Sequence, residues 1–567
     1  MARKKLTQAE MEHLAEQLSD VESLAESCES SDEYQPSSSD NSDLEIRAKL
    51  RKTKPGTISD VSESELEEKD ISHELPSTTE SLILWLDPDE NFEPRKEICS
   101  KWAPKISSEI TEDHTPLQIF QKFFPSSLFL YIAQCTNERL ELYENEKEKK
   151  KRIQPTSSGE IKIMIGCMFI MTYNHVPSIF QYWSTHPSMG NKAIQKAISR
   201  DRFQLIFSKM YFASPKKPDD CSSKTYYIDD VVSCLKEKFI KYRQDSTFQS
   251  IDESMTKFKG RSSLKQYMPL KPIKRGIKMW LRCDSYTGYT YDFNIYTGRE
   301  TEPVTGTLGE RVVKTLASTI REKDVTLCFD RFFTSVNLLK TLDFPALGTC
   351  ISNRKNLPKI DTKLAKGESV FKACKEGLLY TKWQDTKEVY VLSNCHKNTL
   401  TTVKKTLKDG SKQDTNCPEM ISFYRKIMGG VDLADQMMGV YEMDRKSNKW
   451  WKKVFCRLMM MSAVNAWVIS NDASQKKKPF LQFLVALAEE LIAEGEKNYS
   501  LHQPDRNSRI SERRKSFGKV SLHLPIEGST RRRCKRCTEN KTQTRTTTLC
   551  QECKIPLCKH CFALYHN

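Results

Sequence analysis

Three aspartates stand where an α/β chain can place catalytic carboxylates. Asp252 follows the short apolar run "FQSI", Asp330 closes the run "VTLCF", and Asp432 opens the helical stretch "VDLADQMM". Acids at strand ends and helix starts can converge on one spot even when they are far apart in sequence. Three carboxylates brought together repel unless a cation holds them. Hard oxygen donors in that number suit Mg²⁺, and two such ions roughly 3.5–4 Å apart activate a nucleophile and stabilise the leaving oxygen of a phosphodiester. Any one of the three, taken alone, is more simply a cap or a surface charge. Asp435 lies one helical turn beyond Asp432 on the same face. It reads equally as a fourth metal-facing acid and as a first-turn acid favoured by the helix dipole. Gly429 and Gly430 would let the chain turn tightly into this helix.

A second constellation closes the chain. Six of the 19 cysteines fall in the last 34 residues, as CKRC (Cys534, Cys537), CQEC (Cys550, Cys553) and CKHC (Cys558, Cys561). Paired CxxC units at such spacings are a strong zinc signal. In a cross-brace order, Cys534, Cys537, Cys558 and Cys561 would hold one Zn²⁺ and Cys550, Cys553 and His566 another. His560 would be the eighth ligand, or one site would be incomplete. The N-terminus carries no apolar signal region, so the remaining thiols read as reduced rather than as a disulfide frame.

A third feature is basic. Between Lys257 and Lys278 the chain carries Lys257, Lys259, Arg261, Lys265, Lys271, Lys274, Arg275 and Lys278 with no acid. Pro269 and Pro272 keep it extended. Beside a nuclease centre, that density suits phosphate contacts that position nucleic acid without reading its sequence. Away from one, it would be a solvated loop.

The elements that must position these groups follow from pattern. Residues 1–95 are acidic and Ser-rich and read as a disordered tail. Thr115 before Pro116 is a helix start, and residues 113–245 read as a mostly helical domain. It includes the basic run Lys147 to Arg152, a solvated loop or a localisation signal. Residues 246–351 alternate as strand, hairpin, helix and strand, with the hairpin in "GIKMWLRCDSYTGYTYDFNIYTG". Residues 352–420 are Lys-rich with short strands and read as an inserted β-rich lobe. Residues 421–494 return to helices, 495–530 form a basic linker, and 531–567 form the Cys-rich module. The fold class expected is multidomain α/β.

The blocks "SIDESM", "CFDRFFTSVNLL", "GTCISNRKNLP", "YRKIMGGVDLADQMM" and "RKSNKWWK" occur in this order, and the chain resembles the piggyBac-type DNA transposases over about 113–567. The resemblance implies an RNase H-like catalytic core split by an insertion, with a DDD site at Asp252, Asp330 and Asp432 and Asp435 as the additional acid. It implies two Mg²⁺, hydrolysis at transposon ends, hairpin formation by the freed 3′-hydroxyl, and joining to double-stranded DNA at TTAA. It also implies a homodimer, a C-terminal zinc module that binds the transposon end, and Trp450 near the active site, where core packing is the competing role. Arg331 and Ile351 depart from the commoner Asn and Arg of the family. The lost charge at Ile351 puts strand transfer in question, and the nearby Arg354 and Lys355 could compensate on DNA.

Bulk numbers agree with that direction. The 567 residues carry a net charge of +16 and 29% charged residues, which favours a polyanionic partner; a nuclear location is the expectation that goes with the resemblance. No apolar run approaches the roughly 18 residues that span a bilayer, so no membrane role is expected. A transposase-derived DNA or chromatin binder that no longer cuts is the alternative.

Overall fold

The computed structural model describes residues 83–146, 153–186, 188–269, 271–299, 304–406, 411–500, 525–540 and 542–566. The acidic tail up to residue 82, the basic run Lys147 to Arg152 and linker residues 501–524 lie outside the described residues. The chain divides into two compact units, one ending at Lys497 and one beginning at Asn498. No helix among the described residues is long and apolar enough to cross a membrane.

In chain order the larger unit contains β1 (Trp85–Leu86), α1 (Pro116–Phe123), α2 (Ser126–Glu146), α3 (Ser158–Tyr173), α4 (Lys192–Ala197), α5 (Arg200–Lys209) and α6 (Asp229–Lys241). These are followed by β2 (Phe248–Lys257), β3 (Lys265–Tyr267), β4 (Arg275–Asp284), β5 (Thr290–Ile295), α7 (Leu308–Ala317), β6 (Thr326–Phe329), α8 (Val336–Thr341) and β7 (Ala346–Thr349). Next come β8 (Ser369–Cys374), β9 (Leu379–Gln384), β10 (Glu388–Ser393), β11 (Leu400–Thr406) and β12 (Lys412–Pro418). The unit closes with α9 (Glu419–Ile427), α10 (Gly430–Val440), α11 (Trp450–Ala473) and α12 (Phe480–Ser500).

Helix α1 begins as its sequence dictates. The Thr115 hydroxyl accepts from the Gln118 amide, the Gln118 side chain accepts from the Thr115 amide, and Pro116 fills the first position. Its apolar positions Leu117, Ile119, Phe120 and Phe123 are buried.

A ten-stranded mixed sheet runs in the order β1-β8-β9-β10-β7-β6-β2-β4-β3, with β5 paired to β4. β2, β6 and β7 are parallel neighbours, and the other pairs are antiparallel. The predicted hairpin is β4–β5, and Gly288 takes the positive φ of 68° that its turn demands. Strand alternation sends Met279 and Leu281 into a core shared with the helices, and Trp280 into a second core against α7.

Two features reach beyond the sequence reading. Residues 113–245 do not enclose a core of their own. Phe123 packs against Tyr289 of the hairpin and Phe124 against Phe455 of α11. The segment 352–420 does not stand apart as a lobe either. Its strands β8, β9 and β10 extend the main sheet through β10 and β7, and β11–β12 alone form a separate ribbon.

The smaller unit holds β13 (Pro525–Arg533), α13 (Lys535–Glu539), β14 (Arg545–Cys550) and α14 (Lys559–His566), with β13 and β14 forming an antiparallel ribbon.

Candidate active site

The sheet itself brings the first two aspartates together. β2 and β6 are parallel, with Ile251 opposite Phe329 as the last paired residues. β6 stops there while β2 runs on to Lys257, so Asp252 and Asp330 emerge side by side at an opening in the sheet. Ligands of open α/β sheets bind at the carboxyl ends of strands in this way. Glu253 joins them: carboxylate oxygens of Asp252, Glu253 and Asp330 all lie within 4.8 Å of one another. Simple strand alternation would place Glu253 on the opposite face from Asp252, yet its carboxylate reaches the same group. The signal available was its position as a second acid beside the first.

The electrostatics are those of crowded like charges. Burial, then Glu253 and Asp330, push the Asp252 carboxyl well above its ordinary range. Burial, then Glu253, push Asp330 up to about 6, against the pull of the Phe332 amide, which donates to Asp330 at 2.9 Å. The Lys271 ammonium sits 3.0 Å from Glu253. Three hard oxygen donors at such separations, with charge in excess of the local cations, fit a divalent hard cation.

Asp432 comes from α10, whose start is pressed onto the same strand. A Cβ at Gly430 would meet the Ser250 hydroxyl at 2.6 Å and the Asp284 carbonyl at 2.7 Å, so no other residue allows this approach without a shift. The Val431 amide donates to Ser250 Oγ at 3.2 Å, two residues before Asp252. Gly429 has open space around it and a negative φ; of the two glycines, Gly430 alone is required, and for proximity rather than for a special turn. Asp432 is exposed and stands outside the three-carboxylate group. Asp435 is turned to another task. It accepts from Ser254 Oγ at 2.7 Å and pairs with Arg457 of α11. Burial raises its carboxyl, and Arg457 and Ser254 hold it back.

The basic stretch is split between structure and surface. Lys259, Arg261, Lys274 and Arg275 are exposed, with Arg275 over the Tyr267 ring. Lys257 pairs with Asp444, and Lys265 donates to the Gly260 carbonyl at 2.9 Å. Three positions read as nucleic-acid contacts are engaged inside the fold in this structure. Lys278 is buried with its ammonium 4.9 Å from the Phe332 ring centre. The Arg354 guanidinium donates to the carbonyls of Arg331 and Phe332, fastening the loop after β7 to the residues after Asp330. Trp450 is 9% exposed and packs in the helical core. Lys355 is exposed, and Ile351 is half-buried.

In the smaller unit, sulfurs of Cys534, Cys537, Cys558 and Cys561 lie within 4.8 Å of one another. Cys537 Sγ is 3.5 Å from Cys561 Sγ and 3.8 Å from Cys558 Sγ. A tetrahedron with Zn–S bonds of about 2.3 Å has sulfur–sulfur edges of about 3.8 Å, so the four thiols fit Zn²⁺. Cys550 and Cys553 neighbour each other across a knuckle in which the Lys554 amide donates to the Cys550 carbonyl at 2.9 Å. Among the described residues they gather no second ligand group; His560 is exposed, and the His566 side chain lies outside the described residues.

Acids gathered at the end of a parallel strand pair in one unit, and a four-cysteine centre in the other, make two groups with the donor chemistry of metal sites. A model of the "Transposase IS4" family matches residues 115–467, and one of a DDE_Tnp_1-like zinc finger matches residues 523–567. The chain belongs to the piggyBac-type transposase family. It is similar to the human (Homo sapiens) PiggyBac transposable element-derived protein 3, at 25% identity over 86% of this chain and 82% of that one. It is also similar to human PiggyBac transposable element-derived protein 2, at 25% identity over 76% of this chain and 74% of that one. In fold it matches the cryo-EM structure of a piggyBac transposase synaptic complex with hairpin DNA. That match has a TM-score of 0.62 at 23% identity, covering 81% of this chain and 98% of that chain.

Proposed function

We propose that this chain is a metal-dependent DNA transposase that cleaves and joins phosphodiesters at the Asp252–Asp330 centre. The observation that carries the reading is the set of three mutually repelling carboxylates at the opening between β2 and β6. Structural ion pairs balance their charges locally; this set does not, and a cluster perturbed by burial and like charge is the mark of a working site. Asp252 and Asp330, with Glu253 and with Asp432 from the facing helix, would hold Mg²⁺. Bound there, Mg²⁺ supplies nucleophile activation and leaving-group stabilisation for a phosphodiester.

The chain's own residues then define a path for nucleic acid. Lys259, Arg261, Lys274 and Arg275 are exposed close in sequence to Asp252 and would hold backbone phosphates, with Lys355 beyond β7 as a further contact. The family resemblance extends this to an RNase H-like core over 246–351 and 421–494 with 352–420 inserted, helical residues 113–245 serving dimerisation, and the zinc module of 531–567 on transposon ends. It further extends to DNA binding by residues 113–245, cut-and-paste transfer at TTAA, a homodimer and a nuclear location.

A second reading, a DNA binder that no longer transposes, draws on Asp432 standing outside the carboxylate group and on Ile351 in place of a basic residue.

The test is cleavage. The full chain is incubated with Mg²⁺ and duplexes carrying family-like terminal repeats flanked by TTAA, and products are resolved on denaturing gels. Nicks and hairpins from the wild type, absent with Asp330→Asn, support the enzyme. Equal products from both proteins would sink it, and binding of the same duplex without cleavage would favour the second reading.

A further inference from the structure

The centre contains a cation that the proposed reaction does not use. The Lys271 ammonium lies 3.0 Å from Glu253 Oε1, and Glu253 in turn lies within 4.8 Å of Asp252 and Asp330. Glu253 is nearly buried, at 9% side-chain exposure, while Lys271 keeps 31%. The acid is therefore fixed in the fold and the cation reaches it from the rim.

Among its described residues, the segment that carries Lys271 has few other attachments. The Met268 amide donates to the Lys274 carbonyl at 2.8 Å and closes the segment at its base, and the Lys271 amide donates to the Met268 carbonyl at 3.3 Å. Pro269 and Pro272 contribute no amide donors. The same segment carries the exposed Lys274 and Arg275. A flexible four-carbon stem ending in a compact ammonium is the cationic side chain best able to enter and leave such a pocket.

We infer that Lys271 is the resident counter-ion of the Asp252–Glu253–Asp330 cluster, and that a divalent cation entering the cluster exchanges with it and frees its ammonium for a nucleic-acid phosphate. The inference rests on the metal reading of this centre given above. One ammonium offsets a single negative charge of the three. A divalent cation offsets two and demands the same oxygens, and it repels an ammonium held at that distance. Exchange relieves that repulsion, and the ammonium on its flexible stem is the partner able to leave. It makes Glu253 a positioning residue, because its carboxylate is what holds Lys271 in the metal-free protein. It also couples two events: the chain presents this cation to phosphate once metal is loaded, so nucleic acid is held most strongly by a centre ready to act.

The experiment reads lysine chemistry rather than turnover. The full-length chain is treated with a limiting amine-acylating reagent, with a chelator or with saturating Mn²⁺, and acylation of each lysine is measured by peptide mass spectrometry. Lys259, exposed and outside the cluster, is the internal reference. Mn²⁺ binding to the same sample is followed by calorimetry. Mn²⁺ is expected to raise the rate at Lys271 about fivefold relative to Lys259, the scale on which a partly exposed ion pair protects its ammonium. Glu253→Gln is expected to raise the metal-free rate to the same level. Mn²⁺ binding with Lys271 as protected as before, or more so, would overturn the exchange while leaving the metal reading intact. An unchanged metal-free rate in Glu253→Gln would likewise overturn it. Absence of Mn²⁺ binding would overturn the metal reading, and the exchange with it.

Discussion

Arg457 of α11 and Asp435 of α10 form an ion pair that Ser254 of β2 completes, since Arg457 Nη2 also donates to Ser254 Oγ at 3.1 Å. One guanidinium thus fastens the helix bearing Asp432 to the strand bearing Asp252. Arg457 is 3% exposed and Asp435 keeps 32%. The Arg457→Met variant would leave Asp435 half-buried without its partner. Full burial of an orphaned charge costs several kcal/mol, and the exposure of Asp435 discounts this to about 2 kcal/mol. Urea unfolding should show that loss, with the double variant Arg457→Met, Asp435→Asn recovering much of it. If Asp435→Asn abolished Mn²⁺ binding at unchanged stability, Asp435 would be a metal ligand and not a clamp.

Gly430 and Gly429 are adjacent and should respond unequally. An added methyl at Gly430 would be driven into Ser250 and the Asp284 carbonyl, both under 3.0 Å away, whereas at Gly429 it meets nothing within 4 Å. Gly430→Ala should destabilise by about 2 kcal/mol, the usual cost of overpacking. Gly429→Ala should stay within about 0.5 kcal/mol of wild type. Thermal unfolding of the two variants separates them; equal transitions would show that α10 is not seated by this contact.

The two glycines also show what could be read in advance. The strand signals around Asp252 and Asp330 were strong because apolar runs ended at the acids, and the parallel β2–β6 pairing does the rest. Glu253 was invisible because strand periodicity assigns adjacent residues to opposite faces; its presence depends on β6 ending at Phe329 and opening the sheet beside it. The hairpin at Gly288 was legible from its turn chemistry. Attachment of β8–β10 to the main sheet was not, because it rests on long-range pairing of Val391 with Thr349 and their neighbours, which no local pattern encodes. The cysteine spacing, read in a cross-brace order, grouped the four thiols that gather. Charge density named a basic stretch but could not tell the exposed Lys259 from the buried Lys278.

Acid stability should carry the mark of His396. Its ring is buried, its Nδ1 meets Ser393 Oγ at 2.8 Å, and its Nε2 has no partner among the described residues. Burial lowers it from 6.5 to about 4, with Glu419 opposing. The folded state therefore binds fewer protons than the unfolded chain between those values. Its contribution is complete above about pH 6.5 and is lost as pH falls towards 4. The loss between about pH 7.5 and about pH 5 should be roughly 2 kcal/mol. His396→Gln should flatten that part of the urea-derived pH profile, and an identical slope in both proteins would remove His396 as its source.

Zinc should decide the fate of the smaller unit alone. Its apolar core is slight, with Cys534, Leu557 and Cys561 buried and Ile555, Phe562 and Tyr565 partly so. A module of this size rarely folds without a staple. Hydrogen bonding, from Thr544 first and then Cys561, lowers the Cys537 thiol to about 7, and thiolates are the form that binds zinc, so affinity should fall on acidification. Cys537→Ala should release the zinc of the four-cysteine centre and unfold the β13–β14 ribbon, read as lost hydrogen-exchange protection over residues 525–566. Cys553→Ala should retain that zinc and most of that protection, because Cys553 lies outside the four-sulfur group. The unit ending at Lys497 has its own cores, and its unfolding transition should be unchanged in both variants. Protection that survived Cys537→Ala intact would show that the ribbon stands without metal.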